Sequence, residues 1–203
     1  MIDLSIPSGA VFSLDGKYRY ALWRIWSSAK PLRLQIGLNP SKAGAVRNDP
    51  TVTRGIVRAD RDGFGGFFMG NLYGYVSTDP KALLRDGDFV GELTDRYLKE
   101  MIALANQTIC GWGSFPAAAK RAGDVLRMIP EPYCFGVNKD GQPKHPLYLP
   151  YSASVVKYLT REWLDWKRDQ LRTPEEFKKM YMGEFKDADN LVRVDDRRPP
   201  SWS

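Results

Sequence analysis

Short apolar runs alternate with amphipathic stretches along most of the chain, and the alternation predicts a strand–helix–strand order. Residues 10–26 predict a β-hairpin, in which Phe12-Ser13-Leu14 and Tyr18–Trp23 flank Asp15-Gly16, a dipeptide suited to a type I′ turn. A core strand over 32–38 follows Pro31 and breaks off in Gly37-Leu38-Asn39-Pro40-Ser41. Asp49-Pro50 reads as an N-cap and first helical residue, opening a helix to about Arg61. The glycine-bounded run 64–69 predicts a buried strand that ends in Gly70-Asn71. Apolar positions Leu93, Tyr97, Leu98, Met101, Ile102 and Ala105 have helical spacing, so 91–105 is expected to be a packing helix. Strands over 107–111 and 133–136 bracket a helix over 116–128, and a last short helix is expected from Ser152 to about Tyr158.

The character changes beyond Thr160. Residues 162–171 predict a charged helix carrying Trp163 and Trp166, a second helix is expected from Thr173-Pro174, and a polar tail follows Lys186. The expected division is therefore 1–159 as one α/β domain and 160–203 as a helical extension and tail. Alternating strands and helices predict an α/β architecture, with helices sandwiching a mostly parallel sheet.

Composition narrows the possibilities. A length of 203 residues fits one sizeable core. The net charge of +6 favours a polyanionic partner without requiring one. Met1-Ile2-Asp3-Leu4-Ser5 lacks the basic and apolar regions of a signal peptide, and no apolar run approaches the roughly 20 residues of a membrane span. A soluble, cytoplasmic protein, monomeric and without a membrane partner, is expected. Cys110 and Cys134 sit in apolar strands and read as buried free thiols. His145 is the only histidine, which argues against multi-histidine metal sites and a Ser-His-Asp triad; no metal and no cofactor is implied.

Candidate chemistry gathers at strand ends. Open α/β sheets bind ligands at the carboxyl edge of their strands. Asn39 and Asn71 both fall there, each beside a glycine. An asparagine can accept a hydrogen bond from a water or pair with an imide edge while staying uncharged. Both have a plain alternative as caps of strand-end turns, and His145 as a loop residue satisfied by backbone. Trp112 reads as core before contact. Arg54, Arg58 and Arg61 on the helix predicted from Asp49-Pro50 to about Arg61 either touch phosphate or form a solvated helix face.

Four segments in order carry a resemblance. Gly37-Leu38-Asn39-Pro40-Ser41 resembles the Gly-x-Asp/Asn-Pro motif of the uracil-DNA glycosylase superfamily, in the asparagine form of its mismatch-specific branch. Phe67-Phe68-Met69-Gly70-Asn71 resembles that superfamily's base-reading strand, and Cys110-Gly111-Trp112-Gly113-Ser114-Phe115 its apolar strand with Trp-Gly-Ser. His145-Pro146-Leu147 resembles the loop with the catalytic histidine and a wedge leucine. The likeness spans about 30–158, a stretch that also looks like a family of small bacterial and phage proteins of unknown function.

The resemblance implies a three-layer α/β/α sandwich around a mostly parallel four-stranded sheet, with the hairpin and the C-terminal helices appended. It implies a hydrolase that cuts the N-glycosidic bond of a flipped pyrimidine in single- or double-stranded DNA. Asn39 would position the water and His145 would donate to the base O2. Gly37, Leu38, Ser41, Asn71 and Tyr73 would bind the base, with Asn71 pairing at N3 and O4. Lys42, Arg47, Lys144, Leu147 and Tyr148 would contact DNA, Leu147 or Tyr148 as the wedge. Two departures bear on substrate. Asn39 stands where the best-known members carry aspartate, which implies slower turnover on ordinary uracil. Ser41 stands where they carry a tyrosine against C5 of the base, which implies room for a C5 substituent. A non-catalytic binding module and an enzyme that alters a flipped base with its glycosidic bond intact are the alternatives.

Overall fold

The computed structural model describes residues 1–41, 44, 47–170 and 176. The chain begins with an antiparallel hairpin, β1 (Ser8–Phe12) on β2 (Arg19–Ile25). Its turn is not type I′. Gly16 is left-handed at φ 70°, but no non-glycine residue among those described has positive φ, so Asp15 does not adopt the conformation that turn requires. Instead Ser13 N donates to Tyr18 O at 2.9 Å across a longer loop. The Asp15 carboxylate accepts from the Ser13 hydroxyl and from Lys17 N.

The chain then alternates as expected: β3 (Leu32–Gly37), α1 (Pro50–Arg61), β4 (Gly66–Asn71), α2 (Thr94–Leu104), β5 (Gln107–Cys110), α3 (Pro116–Leu126) and β6 (Pro132–Cys134). Asp49 caps α1, its side chain accepting from Val52 N at 2.8 Å. Beyond β6 the expected helix over 152–158 is absent. β7 (Val156–Lys157) pairs antiparallel with β6 instead, Cys134 opposite Val156. The β-branched pair Val155-Val156 suits a strand, and the open edge of β6 supplies its partner.

The sheet has seven strands where four were expected, in the order β1-β2-β4-β3-β5-β6-β7. β4, β3, β5 and β6 are mutually parallel neighbours, while β2 joins β4 and β7 joins β6 antiparallel. The hairpin is thus part of the sheet, extending it beyond β4. β3 lies in the middle; the chain passes from it to β4 on one side and from β4 to β5 on the other, so β3 flanks a topological switch point.

Alternation along β4 shows how the two faces are covered. Phe67 and Met69 pack with Leu22, Val52 and Ala59 on the α1 side. Phe68 packs with Leu34, Ile36, Leu98 and Met101 on the α2 side. Glycines set the approach: a Cβ on Gly55 of α1 would lie 2.3 Å from the Phe67 ring, and one on Gly70 of β4 would lie 2.7 Å from Leu98. Helix α4 (Arg161–Gln170), read from sequence as an appendage, buries Trp163 in the same core as α3. Trp163 Nε1 donates to Ile129 O at 3.2 Å, and Arg127 pairs with Glu162 at 2.9 Å. The second C-terminal helix and the tail lie outside the described residues except for Glu176, which is helical. No helix among the described residues is long and apolar enough to cross a membrane.

Cys110 and Cys134 are both buried and free. Burial pushes the Cys134 thiol up to about 11 and Cys110 well above its usual range. Both should therefore resist a thiol-specific reagent at neutral pH while the protein is folded. Titration in denaturant should then label both, and labelling of either in the native state would contradict this packing.

Candidate functional site

Parallel pairing puts the carboxyl ends of β3, β4 and β5 side by side. Gly37 is in register with Asn71, and Ile36 with Cys110, so Asn39 and Trp112 leave the sheet together. A cavity of about 640 Å³ opens at this edge. Asn39, Asn71 and His145 all line it, with Gly37, Leu38 and Ser41 from the first motif and Lys144, Leu147 and Tyr148 from the histidine loop. Segments more than 100 residues apart in sequence thus meet at one opening.

The glycines of the third segment let the histidine loop approach β5. A Cβ on Gly111 would lie 2.7 Å from the Pro146 ring, and Gly113, at φ 78°, donates its N–H to Pro143 O at 3.0 Å. Trp112 is buried and donates from Nε1 to Gln142 Oε1 at 2.7 Å, so its indole fixes the same loop from below.

The loop is also held from the α1 side. Arg58 is 1 % exposed, and its Nη2 donates to the carbonyls of Pro146, Leu149 and Pro150 at 2.9, 2.8 and 3.2 Å. Arg54 Nη1 donates to Leu149 O at 2.7 Å, and Arg61 reaches the carbonyls of Tyr151 and Ala153. Of these arginines Arg58 is buried, Arg54 half-buried and only Arg61 exposed, so they do not make one solvated face. They are tied to the backbone that follows His145. Burial lowers the Arg58 pKa, with the neighbouring Arg54 and Arg61 charges adding to the effect.

Each of the three central side chains has one end committed. Asn39 Nδ2 donates to Ser77 O at 2.9 Å and to Pro40 O at 3.2 Å, which leaves Oδ1 as its available acceptor. His145 Nδ1 accepts from Leu147 N at 3.3 Å, capping the 3-10 turn Pro146–Tyr148. That bond requires a lone pair on Nδ1, so the neutral ring carries its proton on Nε2. Asn71 Oδ1 accepts from Arg19 Nη2 at 3.2 Å, and its buried Nδ2 has no protein partner.

Two charged residues complete the site, and neither was singled out as a site residue in the sequence. Arg19, on β2, is 3 % exposed. Asp49, the α1 cap, lines the cavity and accepts from the Ser41 hydroxyl at 2.6 Å. Its cap position was legible, but its place beside the cavity was not. Burial lowers the His145 pKa, partly opposed by the charge of Asp49. Among the described residues no three His, Cys, Asp or Glu side chains gather where they could hold a metal ion.

Three expected contacts fall elsewhere. Tyr73 does not line the cavity; its ring is buried and its hydroxyl donates to Ala117 O at 2.8 Å, because the chain has by then turned into the core below α3. Arg47 is exposed and does not line the cavity, and the adjoining loop is anchored by Arg24, which donates to Asn48 Oδ1 and Gly44 O. Lys42 lies outside the described residues.

Two measurements check this geometry. His145, as the only histidine, gives one imidazole titration by NMR, and its midpoint should fall below the ordinary 6.5. Because the unfolded chain binds this proton first, stability should drop as pH falls through 6.5 and level off below the folded midpoint. Asp49→Asn keeps a capping oxygen but removes the charge, so it should lower the midpoint further with little change in fold. Separately, Arg58→Met removes the charged donor that three loop carbonyls share. It should cost about 2–4 kcal/mol in denaturant unfolding, and a neutral effect would show that the loop does not depend on it.

No curated protein and no solved structure matches the chain. One family model matches residues 19–147, from Arg19 on β2 through Leu147 of the histidine loop, and so takes in the whole parallel sheet and the cavity edge. On that match the chain belongs to the family described as protein of unknown function (DUF1643).

Proposed function

We propose that the cavity is the active site of a DNA glycosylase-like hydrolase that acts on a flipped, C5-substituted or mismatched pyrimidine. The observation that carries the reading is the convergence of Asn39 and His145 on one cavity, each with its other polar atom tied to backbone. Asn39 Oδ1 is left to accept from a water, and His145 Nε2–H to donate to an oxygen. In the reaction, the base departs with the electron pair of the N-glycosidic bond and the water oxygen bonds to C1′. The water's proton ends on the released base. His145, neutral because burial lowers its pKa, hydrogen-bonds the base O2 as negative charge grows there. Four adjacent parallel strands and the strand-end placement of the motifs fit the same reading.

The rim suits an extended nucleic-acid strand. Tyr148 is 82 % exposed beside Leu147, which supplies an apolar wedge, and Lys144 is exposed next to them for a phosphate. Ser41 occupies little volume, and its hydroxyl is turned to Asp49, which leaves room for a substituent at C5 of the base. One observation favours a second reading, a binding module without chemistry. The Asn39 position carries no charge, and both oxygens of Asp49 already accept from Ser41 and Val52.

The deciding experiment is base release from oligonucleotides carrying uracil, mismatched thymine, 5-hydroxymethyluracil or a bulkier C5 group. Wild type should leave alkali-labile sites with at least one of them, more slowly on plain uracil. Asn39→Ala and His145→Ala should each reduce release about 100-fold or more. Tight binding with no release from any substrate would replace this reading with the binding module.

A further inference from the structure

A second cavity, of about 620 Å³, opens at the other edge of the sheet, by the amino ends of β3 and β5. Arg33 and Gln107 stand there as register partners, on the face that β4 turns to α1 through Phe67. Arg33 is 3 % exposed, and its guanidinium lies over the Phe64 ring at 4.2 Å. Its Nη1 donates to Asp62 Oδ2 at 2.7 Å, while Arg61 Nε donates to Oδ1 of the same carboxylate at 2.6 Å. Asp62 is the one acidic residue among the described residues that line this cavity, so one of its two cationic charges stays unbalanced. Arg33 Nη2 makes no hydrogen bond and, unlike Nε, is not enclosed. Gln107 has Oε1 enclosed, which leaves Nε2 as the end open to the cavity. Ser152 and Ser154, both exposed, add hydroxyls. Folding alone gives no reason for a glutamine at 107. Its enclosed oxygen is hydrogen-bonded to nothing among the described residues, and a leucine would fill the space without that cost.

We infer that this cavity is a second ligand site, which takes a phosphate group through the Arg33 guanidinium and the amide NH₂ of Gln107. Phosphate oxygens accept from N–H donors and match the planar fork of an arginine. The anion brings the negative charge that Arg33 and Arg61 leave unbalanced. The cavity has room for more than the anion, and the Phe64 ring gives an apolar wall for the body of a small phosphate ester. A bound phosphate would tie the start of β3 to residues 151–155, where Arg61 already bonds the carbonyls of Tyr151 and Ala153. That segment continues directly from the loop that carries His145. The phosphate site does not depend on the glycosylase reading of the first cavity.

The test is calorimetric titration of the full-length protein with inorganic phosphate at constant ionic strength, beside thermal unfolding with and without it. Wild type should bind, and its Tm should rise with phosphate. Gln107→Leu should weaken binding about 10-fold or more, yet leave the Tm without phosphate unchanged or higher. A glutamine with a structural role only would not give that split. Arg33→Met should abolish binding. Because it also removes the bond to Asp62, Arg33→Lys is run beside it; the charge is kept but the fork is lost, and binding should be weaker than in wild type. Lys144→Ala, at the first cavity, should bind phosphate as wild type does. No binding by wild type, undiminished binding by Gln107→Leu, or loss of binding in Lys144→Ala would overturn the inference. A short oligonucleotide added as competitor distinguishes the source of the group. Displacement of phosphate would assign the site to a strand's backbone, and no displacement to a small phosphate ester; the site stands in both cases.

Discussion

A buried guanidinium bonded to three carbonyls holds the site together. Arg58 reaches from α1 across to the segment that follows His145 and donates to Pro146, Leu149 and Pro150. A loop of this kind has little secondary structure of its own; beyond the turn bonds from Leu149 N and Ala153 N, its carbonyls take charged donors from Arg54 and Arg58. Supplying those donors from one rigid helix converts a flexible connection into a fixed one. The position of His145 over the sheet edge follows from that arrangement. So does the close packing of Pro146 on Gly111, since a loop anchored on one side only would not keep that contact.

Around this anchor the cavity is built by contributions that are each geometrically simple. Parallel pairing brings three strand ends to one edge, and glycine at 37, 111 and 113 removes the side chains that would fill the space between them. The remaining polar groups are oriented because half of each is already bonded: Asn39 through Ser77 and Pro40, His145 through Leu147, Asn71 through Arg19. Rigid presentation of this kind lowers the ordering cost of binding, whatever ligand arrives.

Charge is placed at two points of the wall. Arg19 comes from the hairpin strand beside β4, and Asp49 from the first turn of α1, held by Ser41. Their fields act in opposite senses on the site. The carboxylate favours a charged imidazole, whereas burial disfavours it and dominates. His145 is therefore kept as a neutral donor, with Asp49 tempering the effect.

The elements of the fold were largely legible in the sequence. Hydrophobic periodicity located β3, β4, β5 and the helices α1, α2 and α3 to within a few residues, because each buries one face and must repeat apolar residues at its own period. The Asp49-Pro50 start was legible for a local reason, since the cap bonds a residue three positions on. Asn39, Asn71 and His145 stood out as strand-end or lone polar residues, and all three line the cavity. What failed depended on partners distant in sequence. Residues 152–158 form strand where helix was expected because β6 offers an open edge, Tyr73 turns into the core to reach Ala117, and Trp163 is buried against Ile129 instead of lying on an appendage. The roles of Arg19 and Arg58 were invisible for the same reason, as their hydrogen-bond partners lie 52 and 88 or more residues away. The sequence by itself determined which segments become strands and helices and which polar residues fall at their ends, because those depend on neighbours within a turn or two. Only the tertiary structure decided which arginines are structural, which end of each asparagine is hydrogen-bonded and where the histidine sits, because burial and long-range hydrogen bonds exist only once the chain has closed on itself.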